Sequence, residues 1–353
     1  MIYYIIIAIF LFLGFFSKAP KIHYYLSIFI LFVFTAFRDT YLGGTDAISY
    51  QSYFNNQIPT LGDLKSYTHV YEYGYAFINS MIKTFSSDYR VFQFFYTVLA
   101  IFLLHIVIKN LNLTNREKCL FLFIYFCFRF FLNNFVLLRQ NIANLLIWIV
   151  ILKYLDKPIQ RSLTILSTWF FHRTSVANII IFQLLNIGRT VSKKKMLIIT
   201  AGISIIAILT SKLLINKLVE ALIIFAGNKY EKYLVDGDLT IQFNIINFVI
   251  RWLVILFIYY YFDKIQNENK GILLYTGFLA IIIGSFNTEI FTRMLEYYMI
   301  AIYGSMTVSY QAIPRSKQGI YLIGIFLVFI TILIRNLYTT SLGMFMDYSF
   351  FWK

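Results

Sequence analysis

The chain of 353 residues is 59% hydrophobic and 20% aromatic but only 13% charged, with a mean hydropathy of +0.71. A soluble domain carries about 25% charged residues, so this composition excludes an ordinary soluble fold and defines an all-α, polytopic integral membrane protein. The net charge of +15 falls in short segments between apolar runs, where Lys and Arg orient helices by the positive-inside rule, and a nucleic-acid partner is not expected.

Apolar stretches near spanning length occur at 2–16, 23–37, 91–108, 119–136, 141–156, 196–211, 243–262, 271–287, 290–308 and 319–334. The first has no basic segment ahead of it and is followed by Lys18 and Lys21. It therefore reads as a membrane helix with its N-terminus outside rather than as a signal segment. Basic loops recur around Lys18, Lys109, Lys153, Lys193, Lys264 and Arg315. Placing all of them inside requires an even number of crossings between each pair. That leaves 74–85, only about 18 Å long as a helix, as a re-entrant or interfacial element on the outer side. The same parity makes 162–187 a hairpin with His172 and Arg173 at its outer turn. The expected architecture is a single domain over 1–353 with about 12 transmembrane helices, short outer helices and external loops near 38–90 and 212–242. Cys119 and Cys127 share one apolar run, which supports neither a disulfide nor a metal site. There is no repeat of fixed period and no Pro- or Ser-rich linker.

Chemistry-bearing residues gather in the outer segments. In Arg38-Asp39-Thr40-Tyr41-Leu42-Gly43-Gly44-Thr45-Asp46, a Gly-Gly turn precedes a helix on which Asp46, Tyr50 and Tyr53 share a face. A carboxylate beside two rings suits a sugar, and it equally suits a capped helix in an aromatic belt. Arg129 lies well inside the run 119–136, where an ion costs at least about 2.5 kcal/mol, and is expected to face a polar interior or an acidic partner. His172 is either a hydrogen-bonded structural residue or a general base, for which its ordinary pKa near 6.5 suits it. Glu289, Arg293, Glu296 and Tyr297 are spaced to share one helical face. Arg38, Arg139, Arg173 and Arg293 all fall near outer helix ends, and convergence on a pyrophosphate is the simplest use of that pattern. No Walker, GxGxxG, HExxH or GxSxG motif and no spaced Asp cluster is present, so no cofactor or metal is expected.

Six short segments together resemble the EpsG-type, Wzy-like polysaccharide polymerases of bacterial membranes. They are Phe37-Arg38 through Gly44-Thr45-Asp46 to Tyr50 and Phe54; Tyr71-Glu72-Tyr73-Gly74-Tyr75; Leu138-Arg139-Gln140-Asn141; Phe171-His172-Arg173-Thr174-Ser175; Lys229-Tyr230-Glu231-Lys232-Tyr233; and Thr292-Arg293-Met294 with Tyr297. Where the family usually reads Glu-Pro-Gly, this chain has Glu72-Tyr73-Gly74. The resemblance implies a polymerase joining undecaprenyl-pyrophosphate-linked oligosaccharide donor and acceptor at the outer face of the cytoplasmic membrane. A chain-length regulator and a flippase would be possible partners, besides membrane lipid. It makes His172, Asp46 and Glu72 the candidate bases in that order, and Arg139, Arg293 and Arg173 the pyrophosphate ligands. Arg38, Tyr50, Tyr53, Glu289 and Tyr297 become substrate-binding candidates. An O-antigen ligase using lipid A core as acceptor, or a lipid-linked oligosaccharide flippase, are the alternatives.

Overall fold

The computed structural model describes residues 2–66, 71–179, 182, 185, 190–226, 245–286, 289–339 and 348–352. Among them the chain is helical throughout, with no strand. In chain order the helices are α1 Ile2–Leu13, α2 Pro20–Ala36, α3 Gly44–Asn56, α4 Tyr73–Phe85, α5 Tyr89–Asn110, α6 Asn115–Phe128 and α7 Leu138–Ile149. They continue as α8 Pro158–Phe171, α9 Lys193–Ala226, α10 Ile245–Tyr261, α11 Lys270–Ser285, α12 Glu289–Glu296, α13 Met299–Ser309 and α14 Arg315–Thr339. Helix starts follow local chemistry. Pro20 opens α2, where its missing N–H costs nothing. Asp88 accepts from the Arg90 N–H ahead of α5, and Thr114 with Glu117 forms a capping box at α6.

By length and composition, two described helices can cross a membrane, Tyr89–Asn110 and Arg315–Tyr338, while Ile2–Phe16, Pro20–Ala36 and Lys270–Ser285 are shorter apolar helices. The outer element expected at 74–85 is α4, a 13-residue amphipathic helix. Three expectations are corrected. The run 119–136 is not one helix: α6 stops at Phe128, and a wider π turn occupies Leu132–Val136. Arg129 is therefore the residue that ends α6, where the C-terminal dipole favours its charge, rather than a cation in mid-helix. The run 290–308 breaks at Tyr297 and Tyr298 between α12 and α13, so Tyr297 lies in the turn beyond the helical face proposed for it. Of the external loop expected at 212–242, residues 212–226 continue α9, a helix of 34 residues. The remainder, with Lys229-Tyr230-Glu231-Lys232-Tyr233, lies outside the described residues, as do 180–181, 183–184 and 186–187 of the returning arm 175–187.

The chain forms two compact units, Met1–Lys153 with Leu166–His172 and Ile313–Lys353, and Tyr154–Ile165 with Arg173–Ala312. In the first, α6 is the centre, packing on α1, α2 and α14, while α5 packs on α2 and α7. Its side chains from Cys119 to Cys127 are all buried. In the second, α11 packs against α9, α10 and α13.

Within each unit, segments distant in sequence contact one another. In the first, Gln93 donates to the carbonyls of Ala36 and Arg38 at 2.9 Å. Arg38 also pairs antiparallel with Phe350, and Lys83 donates to the Phe54 carbonyl at 2.7 Å. In the second, Lys193 lies 2.9 Å from Asp263. Gln311 there accepts from the backbone N–H groups of Gln266 and Asn267 at 3.1 Å.

Candidate functional site

One end of the first unit brings together three titratable side chains from distant segments. Glu72 caps α4 in extended conformation, with φ −63° and ψ 147°, so the helix dipole favours its negative charge. Its carboxylate has two neighbours from distant segments. Arg139, in the first turn of α7, donates Nη1–H to Glu72 Oε2, and His172 Nδ1 lies 3.6 Å from Glu72 Oε1. All three are shielded, with side-chain exposures of 10% for Glu72, 15% for Arg139 and 8% for His172. The Tyr50 hydroxyl lies near the Arg139 charge, and the guanidinium lies 4.3 Å above the Tyr71 ring.

Close packing brings these segments together. A Cβ on Gly74 would lie 2.9 Å from both Cβ and O of Phe170, so only glycine admits this approach between the start of α4 and the end of α8. That contact places Glu72, two residues before, against His172, two residues after. Tyr73 takes the first helical position, the place where proline is favoured elsewhere, so its substitution for proline keeps the helix start. Below, Tyr50, Tyr53, Tyr71 and Tyr75 form an aromatic floor, the tightest pair being Tyr53 and Tyr71 at 4.5 Å. The start of α7 is pinned by Tyr96, which donates to the Leu138 carbonyl at 2.9 Å. Asn141 supports it further by donating to Asn134 Oδ1 at 3.0 Å.

Burial would push the Glu72 carboxyl up, but the neighbouring His172 imidazole and the Arg139 charge outweigh it and hold the group well below its usual range. Stabilisation from this ion pair is complete above the ordinary value of 4.5 and declines as the pH falls from there toward the depressed folded value. Thermal unfolding followed across acidic pH should show a flatter decline for Glu72→Gln than for the natural chain.

The sequence-derived candidates divide. Glu72, Arg139, His172 and Tyr50 come together, with Tyr53 in the floor beneath. Asp46 sits exposed in the first turn of α3. Arg38 is 1% exposed but lies elsewhere in the unit, donating to the Thr35 carbonyl at 2.8 Å with its guanidinium 4.4 Å above Phe135. It therefore does not join Arg139. Arg173, Arg293, Glu289 and Tyr297 belong to the second unit. There Thr174 hydrogen-bonds Tyr297 at 3.2 Å, and Tyr298 donates to Asn178. Arg173 is exposed and Arg293 half-buried, while the Glu289 side chain lies outside the described residues. Among the described residues no group of three or more His, Cys, Asp or Glu is placed to hold a metal. Tyr71, Tyr75, Tyr96 and Asn134 are additions that the sequence alone did not single out as site residues. Only the placement of Tyr71 and Tyr75 around Glu72 signals any of them.

An all-helical chain with apolar helices and a shielded carboxylate–guanidinium–imidazole cluster fits the membrane-associated, polysaccharide-polymerase-like class. The EpsG family model matches residues 21–350, and the chain belongs to the EpsG family. No curated protein and no solved structure matches the chain significantly.

Proposed function

We propose that the chain is a polysaccharide polymerase, a metal- and nucleotide-independent glycosyltransferase of the bacterial cytoplasmic membrane with its site facing outward. It joins oligosaccharide repeat units carried on undecaprenyl pyrophosphate. The observation that carries this reading is the Glu72–Arg139–His172 cluster, assembled from three distant segments among those that resemble the family. The hydroxyl of one lipid-linked unit attacks the anomeric carbon of another. Its proton passes to His172, and the bond from that carbon to the pyrophosphate oxygen breaks, releasing undecaprenyl pyrophosphate as an anion.

Within this scheme Glu72 is a positioning residue. Its lowered pKa makes it a poor base, and its carboxylate orients the imidazole and stabilises the imidazolium, as in a triad. Asp46, exposed on α3, serves sugar contact rather than proton transfer. Arg139 lies over the Tyr71 ring with its Nε–H unpartnered, and is the pyrophosphate ligand of the first unit. Arg173 and Arg293 keep the same assignment in the second. A pyrophosphate leaving group needs charge stabilisation more than protonation, which suits arginine.

The test is purified chain in lipid nanodiscs given one synthetic lipid-linked repeat unit, without lipid A core, metal or nucleotide. Products should form a ladder on a gel, and His172→Gln should slow its formation by about 10²–10⁴-fold. An unextended species from the natural chain overturns the reading.

A further inference from the structure

Beside the Glu72 cluster, the outer end of the first unit contains a second concavity of about 340 Å³, within the range of small-ligand sites. None of Glu72, Arg139 or His172 lines it. Its walls come from three segments: Asp39 and Tyr41 from the turn before α3, Gln51 and Asn55 from α3, and Asp88 with Tyr89 and Arg90 from the start of α5. Phe351, from the segment that pairs with the outer end of α2, closes it.

The lining is built from the groups that recognise carbohydrate. Gln51 and Asn55, one turn apart on α3, present a shared amide face. Among the described residues neither side-chain amide has a hydrogen-bond partner, so donors and acceptors of both face the cavity. Asp39 Oδ1 accepts from the Tyr41 N–H at 3.0 Å, and Asp88 Oδ1 accepts from the Arg90 N–H at 2.9 Å. These bonds fix both carboxylates while leaving acceptor capacity on each. Tyr41 is 63% exposed, a ring open to the C–H face of a pyranose. Arg90 lies beside Asp88, with Nε 3.3 Å from its carboxylate and its guanidinium 5.3 Å from the Phe351 ring. With two carboxylates against one guanidinium, the lining is net negative and favours a neutral or amino sugar over phosphate.

We propose that this cavity is a second saccharide subsite, holding a sugar of the glycan remote from the bond being made. The proposal rests on the glycan-polymerase reading for its biological use but not for its binding test. Helix α3 carries Tyr50 and Tyr53 in the floor of the Glu72 cluster and Gln51 and Asn55 in the wall of the cavity. One helix thus serves both places, and a glycan held here stays with the protein between successive additions.

Two measurements separate this proposal from the function above. Lipid-free repeat-unit oligosaccharide, released by mild acid from lipid-linked intermediates, is titrated calorimetrically into the purified full chain. Binding should weaken at least 10-fold in Gln51→Ala/Asn55→Ala and in Phe351→Ala, and stay unchanged in Gly62→Ala, where an added Cβ meets nothing within 4 Å. Absence of binding to the natural chain, or equal binding by the Gln51→Ala/Asn55→Ala protein, overturns the subsite whatever the polymerase assay gives. In the nanodisc assay the same double variant should still form the first bond but shift the ladder to shorter products. An unchanged ladder also overturns the subsite, whereas absence of any ladder from the natural chain counts against the polymerase reading alone.

Discussion

Arg139→Ala abolishes chain extension and destabilises the first unit, and the two losses separate on adding a second substitution. Removing the guanidinium leaves the Glu72 carboxylate, 10% exposed, facing the site without its arginine partner. Breaking one side of a shielded ion pair costs about 3–5 kcal/mol, because the remaining charge is desolvated without compensation. Losing a charge-stabilising donor at a leaving group costs about 10²–10³ in rate. Removing both partners takes away the buried charge, so Glu72→Ala/Arg139→Ala should recover most of the lost thermal stability while remaining inactive. Melting curves in detergent and accumulation of unpolymerised lipid-linked repeats in membranes, at matched protein levels, check the two parts. Wild-type chain lengths from Arg139→Ala would remove it from the mechanism. Arg139→Lys should keep the charge and much of the stability but lose the forked geometry that holds Glu72.

Gly43→Ala produces the second large effect, at a position that touches no substrate in the proposed reaction. Gly43 has φ +120°, and a Cβ there would lie 2.5 Å from the Phe135 carbonyl oxygen. The left-handed backbone costs about 1–2 kcal/mol for an alanine. Displacing a backbone carbonyl adds overpacking strain of about 1–3 kcal/mol. The turn feeds directly into α3, so relief of the clash moves Tyr50 away from Arg139, and activity falls with stability. Gly62→Ala, where an added Cβ meets nothing within 4 Å, should stay within about 0.5 kcal/mol of the natural chain and serves as the control in the same melting experiment.

Helix existence was legible wherever apolar runs are bounded by charge or by capping residues, as at Pro20, Asp88 and Thr114. The breaks inside apolar runs were not. Between Phe128 and Leu138 no Pro or Gly marks the interruption. It coincides with side-chain hydrogen bonding within the run, in which Asn134 donates to Tyr125 at 3.2 Å and to the Phe130 carbonyl at 2.9 Å, a use of asparagine that no periodicity marks. The opposite error came at 212–226, where Lys212, Asn216, Lys217 and Glu220 made a helical segment look like a loop. For the site, Glu72, Arg139 and His172 were each visible in short motifs, but their union was not. It depends on the approach at Gly74, which pairs residues from α4 and α8 that no local period relates. Arg38 failed to join Arg139 for a comparable reason: a ring, Phe135, and a helix carbonyl hold it where an anion was expected.

The pairing of Arg38 with Phe350 has a temporal side. Tyr348, next to that pair, donates to the carbonyl of Phe34 across a separation of 314 residues. At translation rates of about 5–20 residues per second, the outer end of α2 waits on the order of 16–60 s for this cover. During that interval the aromatic faces of Phe34 and Phe37 are without Tyr348 and Phe351, and the wall that Phe351 supplies to the cavity is missing. The wall of this cavity is thus completed late in synthesis, after the helices that frame it have been made.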